Sequence, residues 1–300
     1  MKKPFSKLFW LSAVVIISAC SSNVPTDETA VDTPKDTAGS EKKSHAQIVL
    51  YNIPSPVETS QLLLEAGAKY DASFTNNPSN SKQYKTAESQ AVNLGVYGSD
   101  LSFAGIFENT QECMAFIKSV NGLCGELGIG GAFNESTAER IEKNKGSKDS
   151  VLKIISDSFW EADGYLKENN RAGISSLLIA GGWIEGMFIA SKVYQKTKSE
   201  KIKTRIVSEP QANALRSLIA MLESEKLNAE TQSSIVDGLK LLKSIYDKIP
   251  YGKSETKAVT DIAKHQTRIE TTSAVKVSDE LFAEIIKSVE TLRSKIVVMK

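Results

Sequence analysis

The chain has 300 residues, 41% of them hydrophobic and 24% charged, which is the composition of a globular protein rather than of a fibrous or wholly disordered one. The 37 basic and 36 acidic residues nearly balance, which excludes a strongly basic nucleic-acid binder, so we expect no nucleic-acid partner. Two histidines and three cysteines are too few for a histidine-rich metal centre or a cysteine-knot scaffold. We therefore predict no metal and no cofactor, and we assign no catalytic residue.

The first twenty residues carry the most specific pattern in the chain. Lys2, Lys3 and Lys7 form a positive start, and residues 9–17 form an apolar run that is too short for a permanent membrane helix. Small residues then precede Cys20. This order resembles the lipobox of bacterial lipoproteins, and the resemblance implies cleavage before Cys20 and acylation of its thiol. An uncleaved anchor helix or a plain signal peptide is the alternative.

The residue after the cysteine bears on the destination of such a lipoprotein. In lipoproteins of two-membrane bacteria an aspartate at this position favours the inner membrane, whereas this chain has Ser21. No dense acidic cluster directly follows Cys20, since Asp27 and Glu28 come later. The resemblance therefore implies an envelope protein held in the bilayer through acylated Cys20, with the periplasmic face of the outer membrane favoured.

Composition divides the chain into three parts. Residues 1–19 are predicted to be the signal peptide, and residues 20–45 the lipidated cysteine with a disordered tether. The tether is rich in Ser, Thr, Asp, Lys and Pro and cannot bury enough apolar surface to fold. Residues 46–300 are predicted to form a single α-helical domain, in which basic and acidic residues are equal in number.

Helical start and stop signals recur through this domain. We expect an all-α fold of about eight or nine helices, arranged either as a multi-helix bundle or as a solenoid-like stack. Evidence for extended structure is confined to residues 47–52 and 268–277. The predicted helices begin at or after Ser55, Thr86, Thr110, Ser136, Ser147, Ile174, Ser208, Asn228 and Ser278.

Two of the predicted helices carry a row of small residues on one face. Glycine inside a helix costs about 0.5–1 kcal/mol relative to alanine, so the rows need a compensating contact. The rows predict that these helices pack closely against other helices, for example against each other. The alternative is that the small residues leave room for a ligand. The first row is Ala91, Gly95, Gly98, Ser102 and Gly105, and the second is Gly182, Gly186 and Ala190, with Gly181 beside it.

Each of these helices also carries one acidic residue among apolar neighbours. Asp100 and Glu185 could act together in acid–base chemistry, or each could be exposed or neutralised by a basic residue. Nothing in the sequence brings them together. With the aromatic residues Tyr97 and Trp183, they form our candidate ligand or packing site.

The segments around these acids carry a second resemblance. Residues 93–101 read Asn-Leu-Gly-Val-Tyr-Gly-Ser-Asp-Leu, and residues 180–186 read Ala-Gly-Gly-Trp-Ile-Glu-Gly. Both resemble motifs of an uncharacterised group of helical bacterial envelope lipoproteins, over about residues 48–195. The resemblance implies a location and a helical fold, but it implies no activity.

Two smaller features leave alternatives open. Cys113 and Cys124 would lie about 16 Å apart on one continuous helix, which disfavours a disulfide unless the helix breaks between them. Trp160 and Tyr165, near the acidic Glu161 and Asp163, are either part of a sugar-like site or a core aromatic pair with an acidic outer face.

Two hypotheses about function follow from these features. In the first, the chain is a membrane-tethered, non-catalytic helical lipoprotein that binds an envelope protein partner or a small ligand. In the alternative, it is an envelope hydrolase that acts on glycan or peptide through its carboxylates. Two carboxyl groups about 5–10 Å apart and open to one cleft would favour the hydrolase.

Overall fold

The computed structural model describes residues 53–131, 135–252, 255–261, 266–272, 275 and 277–300. All of them lie within the same unit, Ser40–Lys300. The predicted signal peptide, Cys20, the tether and the extended prediction for residues 47–52 lie outside the described residues.

Ten helices make up most of the described residues, so the all-α prediction is confirmed. The ninth, α9, has three successive segments: an α-helical turn (Ala229–Thr231), a π-helical turn (Gln232–Val236) and an α-helix (Asp237–Tyr246). The others are α1 (Pro56–Glu65), α2 (Ala87–Ile106), α3 (Thr110–Glu126), α4 (Glu135–Lys143), α5 (Lys148–Glu168), α6 (Ala172–Thr197), α7 (Glu200–Ile206), α8 (Glu209–Glu223) and α10 (Asp279–Ile296).

The predicted helices do not include α7. Helix α6 ends at Thr197, and the next residue, Lys198, adopts a left-handed backbone with φ of 54°. Helices usually end this way at glycine, because a side chain is strained in that conformation. With a lysine at the break, the sequence carries no glycine or proline signal for a new helix.

Most of the predicted helix starts are confirmed by their caps. The Ser55 hydroxyl accepts from the Glu58 amide at 3.2 Å, and the Glu58 carboxylate accepts from the Ser55 amide at 2.8 Å. Three starts are wrong by a residue or more. Asn109, rather than Thr110, caps α3, and α4 has already begun at Glu135 before the predicted cap at Ser136. Helix α6 begins at Ala172, two residues before the predicted start at Ile174.

Two strands form a hairpin between α9 and α10. Strand β1 (Glu255–Asp261) pairs antiparallel with β2 (Gln266–Thr272), and the register places Glu255 opposite Thr272. The extended prediction for residues 268–277 is therefore right as far as Thr272.

The long helices α2 and α6 lie side by side at the centre of the fold. Helices α1, α3 and α5 pack on α2, helices α5, α7, α8 and α10 pack on α6, and α9 packs on α8 and α10. Because the central pair is enclosed by other helices, the arrangement is a bundle and not a solenoid-like stack. Among the described residues, the buried apolar side chains of this core run from Leu63 to Met299.

Among the described residues, α6 is the one helix long and apolar enough to cross a membrane by length and composition. Its most apolar window is 78% buried inside the protein. A helix that is apolar on all sides is expected at the centre of a bundle, so burial accounts for the hydropathy of α6.

The contact between α2 and α6 brings backbone against backbone. A Cβ atom on Gly95 would lie 2.0 Å from the Leu178 carbonyl oxygen, and one on Gly181 would lie 1.9 Å from the Val92 carbonyl oxygen. The Ser99 hydroxyl donates to the Gly182 carbonyl oxygen at 2.7 Å across the same contact. Glycine is therefore required at two positions for steric reasons, and the small-residue rows do bring the two helices together.

Other glycines of the rows meet different helices. A Cβ on Gly98 would lie 2.3 Å from the Phe159 ring of α5, and one on Gly186 would lie 3.3 Å from Thr59 of α1. A Cβ on Gly182 would have its nearest neighbour, a ring carbon of Pro56, at 3.3 Å. The row on α6 is thus shared between α1 and α2.

These distances predict opposite outcomes for two adjacent glycines. Gly181→Ala should lower the free energy of unfolding by about 1–3 kcal/mol or more, because a methyl group must push the two backbones apart. Gly182→Ala should be nearly neutral, because the helix propensity of alanine, about 1 kcal/mol better, offsets a mild contact. Urea unfolding followed by circular dichroism measures both, and equal losses would show that the backbones do not touch at Gly181.

Candidate functional site

The structure brings Asp100 and Glu185 together in the core. Asp100 lies on α2 and Glu185 on α6, each a few residues beyond the glycine contact. Both side chains are fully buried, and the two carboxyl groups are close enough for the charge of Glu185 to raise the pKa of Asp100. Both acids stand out in the sequence, but no sequence pattern indicates that they meet.

A third charged residue, Arg293 of α10, neutralises this pair. Its Nε donates to Glu185 Oε2 at 2.9 Å and its terminal nitrogen donates to Oε1 at 3.0 Å. The guanidinium also lies 4.5 Å from the centre of the Phe188 ring. A planar two-point contact of this kind is the strong form of the Arg–carboxylate interaction. The predicted alternative of an acid held by a basic residue is thus what happens at Glu185.

The surroundings of Asp100 indicate that it holds a proton. One carboxyl oxygen, Oδ2, accepts from the Asn76 amide at 3.1 Å, while Oδ1 has no donor within hydrogen-bonding distance. Its carboxyl neighbour, Glu185, already accepts two hydrogen bonds from Arg293, and two deprotonated carboxylates cannot hydrogen-bond to each other. A proton on Asp100 gives this carboxyl group a hydrogen to donate to Glu185. The cluster then holds one negative charge, on Glu185, and one positive charge, on Arg293.

The electrostatics agree with this assignment. Burial raises the pKa of Asp100 well above its ordinary value of 3.8, and repulsion by Glu185 raises it further, against the opposing effect of Arg293. Burial also raises the pKa of Glu185, but Arg293 opposes this shift through its charge and its hydrogen bonds. Of the two acids, Asp100 is therefore the one that stays neutral.

Tyr97, the third candidate, belongs to the same buried cluster. Its hydroxyl donates to the Asn77 carbonyl oxygen at 2.8 Å, and burial raises its pKa. The neighbouring Tyr84 accepts from the Asn76 side chain at 3.0 Å and donates to the Val297 carbonyl oxygen at 3.2 Å. The cluster thereby links the loop before α2 to the end of the chain.

The last turn of α10 is held by the same part of the fold. The Asn93 side chain donates to the Ile296 carbonyl oxygen at 2.9 Å, and Gln83 donates to Val297 at the same distance. These donors satisfy carbonyl groups that a helix end leaves without partners. Together with Arg293, they fix α10 against the central pair.

Trp183, the fourth candidate, lies apart from the ionic cluster. Its indole nitrogen donates to the Gln211 side chain at 2.8 Å, and its ring lines an open pocket of about 100 Å³ between α1, α5 and α6. Phe159, Trp160 and Ile53 line the same pocket. The structure therefore divides the candidate site into a closed ionic cluster and an open apolar pocket.

The structure also bears on the predictions for the aromatic pair of α5 and for the two cysteines of α3. Trp160 and Tyr165 are 55% and 47% exposed, so the core alternative for this pair is wrong. The Asp163 carboxylate is already held by the Ser175 hydroxyl and, at 2.7 Å, by the Lys167 amine. Cys113 and Cys124 both lie on the unbroken helix α3 as free, buried thiols.

The geometry of the acids does not suit hydrolysis. Asp100 and Glu185 are close together, as a hydrolase requires, but neither lines the pocket beside Trp160, the pocket beside Leu241 or the pocket beside Cys113. Both have zero exposure, so a substrate cannot reach them. Within the described residues, no group of three or more metal-ligating side chains comes together.

Arg293 is the residue that the sequence analysis missed. It comes four residues after Val289 and three before Ile296, on the apolar face of the last helix. A lone charge within an apolar row indicates a buried partner, because an unpaired buried charge is too costly. That pattern would have identified Arg293, although it would not have identified Glu185 as its partner.

Comparison with known proteins gives no match. No protein-family model, no curated protein and no solved structure matches the chain. The likeness of residues 93–101 and 180–186 to helical envelope lipoproteins therefore stays a prediction.

The ionic cluster predicts a clear order of stability among three conservative variants. Glu185→Gln should lower the free energy of unfolding by about 3 kcal/mol or more, because Arg293 is left without its buried partner. Asp100→Asn should cost about 1 kcal/mol or less, because the amide can accept from Asn76 and donate to Glu185 as the protonated acid does.

The matched control is Glu290→Gln, which removes a carboxylate from α10, the helix that carries Arg293. Glu290 pairs with Lys192 at a partly exposed position, so its loss should cost less than about 1 kcal/mol. Urea unfolding of the three variants tests the order. Equal effects of Asp100→Asn and Glu185→Gln would contradict a proton on Asp100.

The raised pKa of Asp100 also predicts a pH dependence of stability. Between pH 3.8 and the folded-state pKa, the folded protein binds a proton that the unfolded chain has released, so stability falls as pH rises through this window. The slope reaches at most about 1.4 kcal/mol per pH unit for one proton. In Asp100→Asn, the free energy of unfolding should lack the part of the pH dependence that comes from Asp100. The same change of this free energy with pH in both proteins between pH 4.5 and 8 would contradict a proton on Asp100.

Proposed function

We propose that the chain is a membrane-tethered, non-catalytic lipoprotein that binds an envelope protein partner or a small ligand. The observation that carries this proposal is the order of the first twenty residues: positive charge, short apolar run, small residues and then Cys20. In this proposal Cys20 carries the acyl chains that hold the protein in the bilayer. More than one chain is needed for stable anchoring.

The location follows from the same segment. Ser21 in place of an aspartate favours the outer membrane, and the absence of an acidic cluster directly after Cys20 favours its periplasmic face. A tether of about 25 residues with little apolar content would separate the helical bundle from the bilayer by a few tens of Å.

The described residues support binding more than catalysis. Asp100, Glu185 and Arg293 form a closed cluster within the bundle. The open apolar pocket beside Trp160 has one carboxylate at its edge, Asp163, and this group is already paired. An accessible apolar pocket, separate from the closed ionic cluster, suits a protein that recognises rather than transforms its partner.

The anchor predicts a specific loss in one variant. Cys20→Ala should abolish incorporation of radiolabelled palmitate and move the protein from the sedimented membranes to the supernatant, because no thiol remains to be acylated. Cys113→Ala, the matched control, removes a buried thiol of α3 and should leave labelling and sedimentation unchanged. Palmitate incorporation that persists in Cys20→Ala would contradict the proposed anchor.

The binding role has its own test in the same membranes. Chemical cross-linking before solubilisation, followed by affinity capture and mass spectrometry, should yield an envelope protein or a co-purifying small molecule with the unaltered chain. The same partner should be depleted with Cys20→Ala, because the untethered protein is diluted away from the membrane. Recovery of neither a protein nor a small molecule would contradict the binding role while leaving the anchor intact.

A further inference from the structure

The open pocket beside Trp160 is lined by three aromatic rings. Helix α5 contributes Phe159 and Trp160, and α6 contributes Trp183. Trp160 is 55% exposed and Trp183 is 4% exposed, so the rings extend from the solvent into the interior. The face of an aromatic ring carries a partial negative charge, and a positive group within about 6 Å of it is attracted.

Contacts outside the pocket hold two of these rings in place. The Trp183 indole nitrogen donates to the Gln211 side chain at 2.8 Å. The Phe159 ring packs on Gly98 of α2, where an added Cβ would lie 2.3 Å from it. Rings held in this way need little rearrangement to receive a ligand, which reduces the cost of binding.

The polar side chains on the pocket wall include two that already have partners within the protein. The two oxygens of Asp163 accept from the Ser175 hydroxyl and from the Lys167 amine. The Ser102 hydroxyl donates to the Gly98 carbonyl oxygen at 2.8 Å. A sugar or a primary ammonium group depends on hydrogen bonds and gains little from such a wall, whereas a group without N–H or O–H loses nothing there.

The size of the pocket also limits the ligand. Its volume is about 100 Å³, below the roughly 300–1,000 Å³ of typical sites for drug-sized ligands. In another protein, an apolar cavity of about 150 Å³ holds benzene. A trimethylammonium group has fewer heavy atoms than benzene and surrounds its positive charge with apolar methyl groups. It therefore matches the pocket in size, in apolar surface and in the sign of its charge.

We propose that this pocket binds a trimethylammonium group, as carried by choline, against the rings of Phe159, Trp160 and Trp183. Proteins recognise methylated ammonium groups through clusters of aromatic rings of this kind. Because Lys167 offsets the charge of Asp163, the rings provide most of the attraction. The inference rests on the proposed binding role and names the chemical class of the small ligand.

Competition among three probes tests the chemistry of the pocket in the full chain. Choline carries the methylated charge, 3,3-dimethylbutanol has the same shape without the charge, and ethanolamine has the charge without the methyl groups. In equilibrium dialysis, radiolabelled choline should bind, and its displacement should need about ten times more of either competitor than of unlabelled choline. Absence of choline binding would overturn the proposal. Equal displacement by 3,3-dimethylbutanol would assign the pocket to apolar groups in general, and equal displacement by ethanolamine would assign the binding to charge alone, with the same consequence.

A pair of substitutions on α5 tests the location. Trp160→Leu replaces an exposed ring by an aliphatic side chain, so the affinity for choline should fall about tenfold while the melting temperature stays unchanged. The matched control, Tyr165→Leu, removes a ring of the same helix that is 47% exposed and does not line the pocket, and it should leave the affinity unchanged. Unchanged affinity in Trp160→Leu, or equal losses in the two variants, would overturn the proposal.

Vesicles distinguish the two sources of such a group, a soluble compound and a lipid headgroup. This arm uses the full chain with Cys20→Ala, so that acylation does not itself bring the protein to lipid. Displacement of labelled choline by phosphatidylcholine vesicles identifies a headgroup, and no displacement identifies a soluble compound; either result supports the proposal. Equal displacement by phosphatidylglycerol vesicles, which lack the group, would overturn it.

Failure of the choline site is distinguishable from failure of the proposed function. Palmitate incorporation at Cys20 and cross-linking to an envelope protein do not depend on the pocket at Trp160. Both would persist if choline did not bind, and choline binding would persist if Cys20 were not acylated.

Discussion

Backbone contact between α2 and α6 is the constraint on which the rest of the structure depends. Gly95 and Gly181 leave no space for a side chain, since a Cβ on either would meet a carbonyl oxygen at 2.0 Å or less. Helices this close can align only along their small residues. Val92 lies beside Gly181, and Asp100, farther along α2, interacts with Glu185, farther along α6. The close approach therefore brings two acids into one enclosed space, where repulsion and burial would be destabilising without compensation.

Arg293 and a shared proton provide that compensation. Protonation removes the charge of Asp100. The guanidinium of Arg293 then neutralises the one remaining negative charge, which is on Glu185. Such a pair favours one arrangement of the helices, because its partners are satisfied in only one register. Here the register is that of α10, whose last carbonyl groups are also held by Gln83 and Asn93. The ionic cluster thus determines where the end of the chain lies.

The same packing separates the reactive-looking residues from the accessible ones. The residue types of an acid–base site occur in the closed cluster, where Asp100, Glu185 and Tyr97 have no exposure. The accessible pocket at Trp160 instead has apolar walls, and its one acidic residue, Asp163, is paired. Accessible apolar walls suit the binding of an apolar group.

The sequence by itself determined the helical class and most helix starts, because caps such as Ser55 and Ser278 act within one turn of chain. It also determined that Gly95 and Gly181 need a close neighbour, since glycine is otherwise unfavourable in a helix. Only the tertiary structure decided that these neighbours are each other, that Arg293 meets Glu185 across more than one hundred residues of chain, and that Trp183 lies apart from the acids. Contacts between residues so distant in the chain depend on how whole helices pack, and no local pattern of residues specifies that packing.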